Sequence, residues 1–247
     1  MRVLLLGGTT EASLLAHALA GAGVDAVFSY AGRTDAPLPQ PLPLRIGGFG
    51  GVEGLARWLA AEQITHVVDA THPFAAGISK NAVGAAAACA LPLIAFERAT
   101  WHWQPGDTWT LVPDYAAAAA ALPKTPARVF LAIGRQNLTA FAARPQHQYL
   151  LRLVDAPLNL PLAGADVVVS RGPFTLDSDR ALLLRHRITH VVAKNSGGAG
   201  AEANLIAARA LALPVILIDR PALPPRRVAA TVAEVMDFLH GATDRGV

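Results

Sequence analysis

Apolar and polar positions follow the same alternation along the whole chain. Short runs rich in leucine or β-branched residues are each followed by a longer stretch of helical character. Short apolar strands alternating with helices are typical of βα units with a parallel sheet, and not of a sandwich. The pattern therefore predicts an α/β fold.

The ends of these runs set the predicted boundaries. In the first half we predict strands at 2–6, 24–28, 43–46, 65–69 and 92–96 and helices at 10–22, 52–62 and 76–90. In the second half we predict strands at 128–133, 149–154, 166–169, 189–193 and 214–218 and helices at 136–143, 176–187 and 200–211. The segment 101–127 is interpreted as a linker with one short helix, and a final helix is predicted at 228–240.

The two halves also match each other in sequence. The string ITHVV occurs at 64–68 and again, unchanged, at 188–192. Two further pairs of segments match more loosely: 2–7 with 128–134, and 91–98 with 213–220. Such self-similarity indicates a duplicated structural unit. We therefore predict two similar Rossmann-like lobes, 1–112 and 113–247, each with a parallel sheet, and a cleft between them that collects strand ends from both.

Composition narrows the classes of partner. The chain of 247 residues is 53% hydrophobic and 16% charged, which fits a compact globular body. The formal net charge is +3 and the basic residues are scattered singly, so nucleic acid is not expected as a partner. The longest uncharged apolar stretch, 82–96, contains Pro92, so no membrane span is expected. A single cysteine, Cys89, cannot form an internal disulfide, which suits a cytoplasmic protein.

The loop after the first strand has features of a phosphate-binding turn. Its sequence is Gly7-Gly8-Thr9-Thr10-Glu11, and it leads directly into a predicted helix. A glycine at such a turn lets the backbone approach a pyrophosphate, and the helix N-terminus supplies amide donors. The full G-x-G-x-x-G pattern is absent, because its second and third glycine positions hold Thr9 and Ala12. An ordinary tight turn is the alternative interpretation.

The end of the second strand favours NADP(H) over NAD. An NAD-binding chain usually places Asp or Glu there to bind the ribose hydroxyls, and none stands at this position. Ser29, Arg33 and Thr34 follow instead and are candidates to bind a 2′-phosphate. A solvated loop arginine close to Asp35 is the alternative interpretation.

The fourth strand of each half ends in a cluster of polar and turn residues. The cluster of the first half is Asp69-Ala70-Thr71-His72, and that of the second is Lys194-Asn195-Ser196-Gly197-Gly198. Open α/β sheets bind ligands at the carboxyl ends of their strands. The glycines and hydroxyl of the second cluster could form an anion-binding nest, with Lys194 as a point charge. His66 and His190 recur within the repeat and are interpreted as packing residues.

Several arginines are candidates to bind an acidic substrate. Where the first half has two glycines after its first strand, the second has Gly134 followed by Arg135, which suits a carboxylate better than a pyrophosphate. The other candidates are Arg152, Arg171 and Arg220. A structural salt bridge is the alternative role for each of them.

Other enzyme classes lack their motifs in this chain. No tyrosine is followed four residues later by a lysine, which argues against a short-chain dehydrogenase. The sequence has no G-x-x-x-x-G-K-[ST] loop, no H-E-x-x-H helix and no G-x-S-x-G elbow. We therefore predict no kinase-type site, no metal site and no serine-hydrolase site.

A set of distinctive segments extends along most of the chain. They are LLLGGTTEA at 4–12, SYAGRT at 29–34, GGFGGVEGL at 47–55, DATHPFA at 69–75, RGPF at 171–174 and KNSGGAG at 194–200. In this combination and order they make the sequence resemble the precorrin-6A (precorrin-6x) reductase family of cobalamin biosynthesis.

The resemblance implies a two-lobed reductase that uses NADPH to reduce precorrin-6A to precorrin-6B. A hydride would pass to a ring carbon of this acidic tetrapyrrole, and a proton would be added at the neighbouring carbon. By position, residues 7–11 and 29–34 would hold NADPH, with residues 69–72 beside the nicotinamide. The second lobe would face the macrocycle through Arg135, Arg171, Gly172, Phe174, Lys194, Asn195, Ser196, Gly197 and Gly198.

His72 and Lys194 are the candidate catalytic groups under this interpretation. The resemblance also allows transient contact with neighbouring enzymes of the pathway. Three alternatives stay open: a cobalt-precorrin-6A reductase of the anaerobic pathway, another NADP(H)-dependent reductase on the same scaffold, and a nucleotide-sensing module. Polar clusters in both halves favour an enzyme with two ligands over a sensor.

Overall fold

The chain folds into two compact units, each formed around a parallel sheet. A computed structural model describes residues 1–32, 38–155 and 159–243. The first unit consists of Met1–Ala99 and Ala222–Val247, and the second consists of Thr100–Pro221. None of the described helices is both long enough and apolar enough to cross a membrane.

The first unit has the strand order of a doubly wound sheet. Its elements are β1 (Arg2–Leu6), α1 (Thr10–Gly21), β2 (Asp25–Tyr30), β3 (Leu44–Ile46), α2 (Gly51–Ala61), β4 (His66–Asp69), α3 (Ala76–Ala88), β5 (Leu93–Phe96), β12 (Arg227–Ala229) and α7 (Val232–Thr243). Within the described residues these strands form a six-stranded sheet in the order β12-β5-β4-β1-β2-β3. This is the Rossmann order 3-2-1-4-5-6, with β12 in the sixth place.

The second unit repeats that order. Its elements are β6 (Trp109–Val112), α4 (Tyr115–Ala121), β7 (Arg128–Ala132), a 3-10 helix (Leu138–Ala143), β8 (Gln148–Leu153), β9 (Asp166–Val169), α5 (Leu176–Arg185), β10 (His190–Lys194), a 3-10 helix (Ala199–Ala201), α6 (Ala203–Ala210) and β11 (Val215–Ile218). The described strands are ordered β6-β11-β10-β7-β8-β9. The prediction of two similar Rossmann-like lobes with parallel sheets is confirmed.

The edge strands explain why these units differ from the predicted halves, 1–112 and 113–247. β6 follows β5 along the chain but pairs in parallel with β11, whereas β12 follows β11 and pairs in parallel with β5. The segment interpreted as a linker therefore contributes a strand to the second sheet. The start of the predicted helix 228–240 is likewise part of a strand, and the helix begins at Val232.

Two helices of the second unit differ from the predicted ones. The predicted helix 136–143 is a 3-10 helix preceded by Asn137, whose φ is 65°. The predicted helix 200–211 is divided into the 3-10 helix Ala199–Ala201 and α6. The segment before α6 contains Gly197, Gly198 and Gly200. Glycine disfavours a helix because it loses the most backbone entropy on ordering.

Burial of β1 on both faces fixes the centre of the first sheet. Val3 and Leu5 pack in an apolar cluster with residues of α1, β2 and α7, whereas Leu4 and Leu6 pack with residues of α2 and α3. A parallel strand covered on both faces appears in sequence as a continuous apolar run. Leu6 at the end of β1 pairs with Ser29 of β2 and with Asp69 of β4. The carboxyl ends of these three strands therefore meet at one edge, called here the carboxyl edge of the first sheet.

Candidate functional site

Gly7 and Gly8 at the carboxyl edge of the first sheet are required for different reasons. An ideal Cβ on Gly7 would lie 2.0 Å from Cζ of the Phe28 ring, so packing against β2 excludes any side chain. The Gly7 N–H also donates to the Ser29 carbonyl at 3.0 Å. Gly8 has a φ of +121° and nothing within 4 Å of its ideal Cβ, so backbone conformation rather than packing favours glycine there. Gly8 and Thr10 are exposed at the start of α1.

Thr9 joins this loop to the end of β4. Its Oγ1 accepts from the Ala12 N–H at 3.1 Å as the cap of α1 and donates to the Ala70 carbonyl at 2.8 Å. Capping by Thr9 satisfies one of the first N–H groups of α1, and the helix dipole favours negative charge at this terminus. The hydroxyl of Thr9 therefore fixes the relative positions of two loops that the sequence predicts to bind the cofactor.

Glu11 lies in the first turn of α1 and forms an ion pair with Arg98. The Nη1 of Arg98 is 2.9 Å from Oε2 of Glu11, and the two side chains are 19% and 21% exposed, respectively. Arg98 follows the carboxyl end of β5. The sequence identified Arg98 only as part of the repeat, because nothing local links it to a residue 87 positions earlier.

The end of β2 is organised by Arg45, a residue that the sequence analysis missed. Nη1 of Arg45 donates to the Gly47 carbonyl at 2.6 Å and lies 3.5 Å from Oγ of Ser29, and its guanidinium carbon is 3.6 Å from the ring centroid of Phe49. Burial lowers the pKa of the Arg45 guanidinium. Ser29 itself is buried, and its hydroxyl is the acceptor for Arg45. The candidates Arg33 and Thr34 lie outside the described residues.

The cluster after β4 contains an internal hydrogen-bond network. Oδ1 of the buried Asp69 accepts from the Thr71 N–H at 3.1 Å and from its hydroxyl at 2.7 Å. The Phe74 N–H donates to Nδ1 of His72 at 3.1 Å. Because Nδ1 accepts, the neutral imidazole carries its proton on Nε2. Asp69 and Ala70 thus shape the loop, while Thr71 and His72 are half-buried at its surface.

The structure brings these predicted residues of the first unit together. Strand pairing places the ends of β1, β2 and β4 side by side, and the Thr9 hydroxyl bonds to the β4 loop. The described part of the predicted cofactor set therefore occupies one edge of the first sheet. This arrangement exposes backbone at the N-terminus of α1, where N–H groups and the helix dipole favour phosphate.

In the second unit, Arg152 has the structural role that was its alternative interpretation. It forms a nearly buried ion pair with Asp179 of α5. Its guanidinium carbon also lies 3.7 Å from the ring centroid of Phe174, which holds the end of the RGPF segment against β8. Arg171 and Gly172 of that segment are exposed, and Phe174 is half-buried.

The loop after β10 is braced from two directions. Arg220 donates from Nε to the Asn195 carbonyl at 3.1 Å and from Nη2 to the Ser196 carbonyl at 3.0 Å. Oδ1 of Asn195 accepts from the Trp101 N–H at 2.9 Å, and the Trp101 indole N–H donates to the Gly198 carbonyl at 3.2 Å. Trp101 was not among the predicted site residues.

These contacts change the role predicted for the side chains of the β10 loop. The side chains of Asn195 and Ser196 are buried, so they support the loop from within. Gly197 and Gly198 have φ values of 70° and 76°, and Lys194 is half-buried. Arg135 is exposed after β7. Among the described residues, no group of three or more His, Cys, Asp or Glu side chains is placed to hold a metal ion.

The strand orders and the duplicated units define an α/β protein of two Rossmann-like units. The model of the family described as precorrin-6x reductase CbiJ/CobK matches residues 2–240. The chain belongs to this family, and the resemblance inferred from the sequence segments is confirmed.

Individual relatives agree with this assignment. A precorrin-6A reductase of Rhodobacter capsulatus is 65% identical over 249 residues, which cover 100% of this chain and 99% of the relative. A cobalt-precorrin-6A reductase of Priestia megaterium is 32% identical over 253 residues, covering 98% of this chain and 99% of the relative. A solved structure of CobK precorrin-6A reductase, 65% identical, covers 100% of both chains with a TM-score of 0.94.

Proposed function

We propose that this protein reduces precorrin-6A to precorrin-6B with NADPH, as a step of cobalamin biosynthesis. The observation that carries the proposal is the 65% identity to a relative named precorrin-6A reductase across essentially the whole of both chains. The fold is consistent with it, because the first unit has the strand order of a dinucleotide-binding domain.

The residues at the carboxyl edge of the first sheet fit a dinucleotide. Exposed Gly8, with its positive φ, and the first turn of α1 offer backbone N–H groups and the positive end of a helix dipole to a diphosphate. No carboxylate side chain stands on the described end of β2, where an NAD-specific protein would have one. The cation of Arg45 beside Ser29 and the predicted contacts of Arg33 and Thr34 favour the 2′-phosphate of NADPH.

The polar groups of the β4 loop would orient the reacting end of the cofactor. NADPH supplies the hydride when it is bound. Thr71 is fixed by Asp69, and the Phe74 N–H holds the His72 ring through Nδ1. His72 and Lys194 are the candidates to deliver the proton that completes the reduction. One hydride and one proton convert one double bond of the macrocycle into a single bond, leaving NADP⁺.

The second unit would bind the acidic macrocycle. Exposed Arg135 and Arg171 suit carboxylate arms, with Gly172 and Phe174 as further contacts. Trp101 and Arg220 fix the β10 loop, in which half-buried Gly198 and Lys194 are the candidates to bind an anion and buried Gly197 sets the turn. In this arrangement Asn195 and Ser196 act mainly by fixing that backbone.

Metal-free precorrin-6A is favoured over its cobalt complex as substrate. The relative named for the metal-free substrate is 65% identical, whereas the one named for the cobalt complex is 32% identical. We also place the protein in the cytoplasm, consistent with its single cysteine.

An anaerobic turnover assay tests the proposal. Purified protein is mixed with NADPH and precorrin-6A, cobalt-precorrin-6A or no tetrapyrrole, and NADPH oxidation is followed by absorbance. We expect oxidation with precorrin-6A and little without it. No turnover with either tetrapyrrole would refute the proposed activity, faster turnover of the cobalt complex would refute the substrate assignment, and equal turnover with NADH would refute the cofactor preference.

A further inference from the structure

The ion pair between Glu11 and Arg98 occupies the part of the first unit where the cofactor diphosphate would bind. Glu11 is the second residue of α1, and its Oε2 is 2.9 Å from Nη1 of Arg98. Both side chains are about four-fifths buried, which limits screening of their charges by water. The pair therefore contributes directly to the electrostatic potential around the first turn of α1.

A carboxylate in this turn has opposing effects on the helix and on an anionic ligand. Negative charge in the first turn stabilises a helix through its dipole. The same charge repels a diphosphate that uses the dipole and the free N–H groups of that turn. Glu11 without a partner would thus favour folding of α1 but oppose cofactor binding.

The second unit offers an internal comparison. In the repeat, Arg220 corresponds to Arg98, and Leu138 corresponds to Glu11 when Gly134 is aligned with Gly7. Arg220 there donates to the carbonyls of Asn195 and Ser196. The arginine is thus present in both units, but it meets a first-turn carboxylate in the unit with the predicted phosphate loop.

We propose that Arg98 is a positioning residue for the cofactor, which holds and neutralises the Glu11 carboxylate so that the first turn of α1 accepts the diphosphate of NADPH. The inference rests on the proposed function, since it presupposes NADPH at this loop. In this role Glu11, which the resemblance placed among the residues that hold NADPH, affects the diphosphate through its charge, and neither Glu11 nor Arg98 is itself a ligand. Removal of Arg98 exposes the ligand to the charge of Glu11, and removal of both charges restores binding.

A double-mutant cycle measured by NADPH titration tests this role. Arg98→Ala should raise the Kd for NADPH about fivefold at low salt, the effect expected of one uncompensated charge at a helix terminus. Adding Glu11→Gln should bring the Kd back to within about twofold of the wild type, and Glu11→Gln alone, which removes the negative charge and keeps the Arg98 cation, should lower the Kd. The defect of Arg98→Ala should shrink in about 1 M KCl, where charges are screened beyond about 3 Å.

Arg2→Ala is the matched control. It removes an ion pair with Glu62, 3.0 Å long, at the opposite end of β1 in the same unit. Its Kd for NADPH should equal that of the wild type. In turnover assays Arg98→Ala should raise the KM for NADPH and leave kcat unchanged at saturating cofactor, a split that loss of fold would not produce.

The possible outcomes separate this inference from the function on which it rests. An unchanged Kd in Arg98→Ala would overturn it, and so would a double variant no better than Arg98→Ala, since Arg98 would then contact the cofactor itself. Weaker binding by Glu11→Gln alone would overturn it as well, and this variant decides the matter if Arg98→Ala does not fold. If the wild type binds no NADPH, the proposed function and the inference both fail.

Discussion

Gly7→Ala tests how packing shapes the phosphate loop. An added Cβ would lie 2.0 Å from Cζ and 2.3 Å from Cε1 of Phe28. Carbon atoms in contact are normally about 3.5 to 4.0 Å apart, so either the ring or the loop has to shift by more than about 1 Å. The Phe28 ring is fully buried in the cluster shared by β1, α1 and α7, which leaves it no free space.

The cost follows from overpacking of a filled core. Such insertions destabilise by about 1 to 3 kcal/mol, and the closeness of the ring places Gly7→Ala in the upper part of this range, at about 2 to 3 kcal/mol. For a chain of this size that corresponds to a fall in Tm of about 4 to 12 °C. Gly8→Ala serves as the comparison, because it introduces backbone strain at a φ of +121° without a steric neighbour.

Thermal unfolding followed by circular dichroism distinguishes the two causes. Phe28→Leu removes the atoms that the new Cβ meets, so the pair Gly7→Ala and Phe28→Leu should be less destabilised than the sum of its single changes by about 1 kcal/mol. The same leucine should not rescue Gly8→Ala. A wild-type Tm for Gly7→Ala, or equal rescue of both alanine variants, would refute the packing explanation.

Two further predictions concern the second unit. Arg220→Ala removes the hydrogen bonds to the Asn195 and Ser196 carbonyls. It should raise the KM for precorrin-6A by roughly fivefold and leave the KM for NADPH unchanged. Arg209→Ala, which breaks an ion pair with Asp107 elsewhere in the unit, is the control, and an equally large effect in this variant would contradict the prediction. Burial, with smaller effects of His190 and Arg144, lowers the pKa of His147 in the folded protein. The unfolded chain therefore binds a proton at this side chain more readily, and the free energy of unfolding should fall as the pH drops below the unfolded pKa of about 6.5. The fall in Tm between about pH 7 and pH 5 should be smaller in His147→Gln, and an unchanged slope would contradict this assignment.

The central strands could be predicted because their burial on both faces requires apolar residues. β1 is Arg2–Leu6 as predicted, since a strand buried on both faces has to be apolar throughout. The edge strands β6 and β12 were missed for the opposite reason. They are four and three residues long and expose Leu111 and Val228, so their pairing depends on contacts with distant strands rather than on a local pattern. The apolar run at Trp109–Val112 was the available signal, although nothing in it specifies β11 as partner.

The sequence also predicts where a candidate site would lie, but it does not predict what each side chain there contacts. The rule that ligands bind at strand carboxyl ends identified the loops after β1, β4 and β10. It did not show that Thr9 bonds to Ala70, because these residues are 61 positions apart. A polar residue in such a loop either binds the ligand or supports the loop, and only its three-dimensional partners decide between these roles.

The two equivalent arginines show how duplication separated these roles. In the first unit, Arg98 pairs with a carboxylate on the helix that follows β1 and leaves the Gly8 backbone exposed. In the second unit, Arg220 binds loop carbonyls, and Trp101 holds the same loop through Asn195. The same residue type at the same point of the fold thus adjusts charge beside one loop and fixes backbone in the other. This difference is what we expect if the first loop receives a diphosphate, which is sensitive to local charge, and the second contacts a broad macrocycle, which requires a rigid surface.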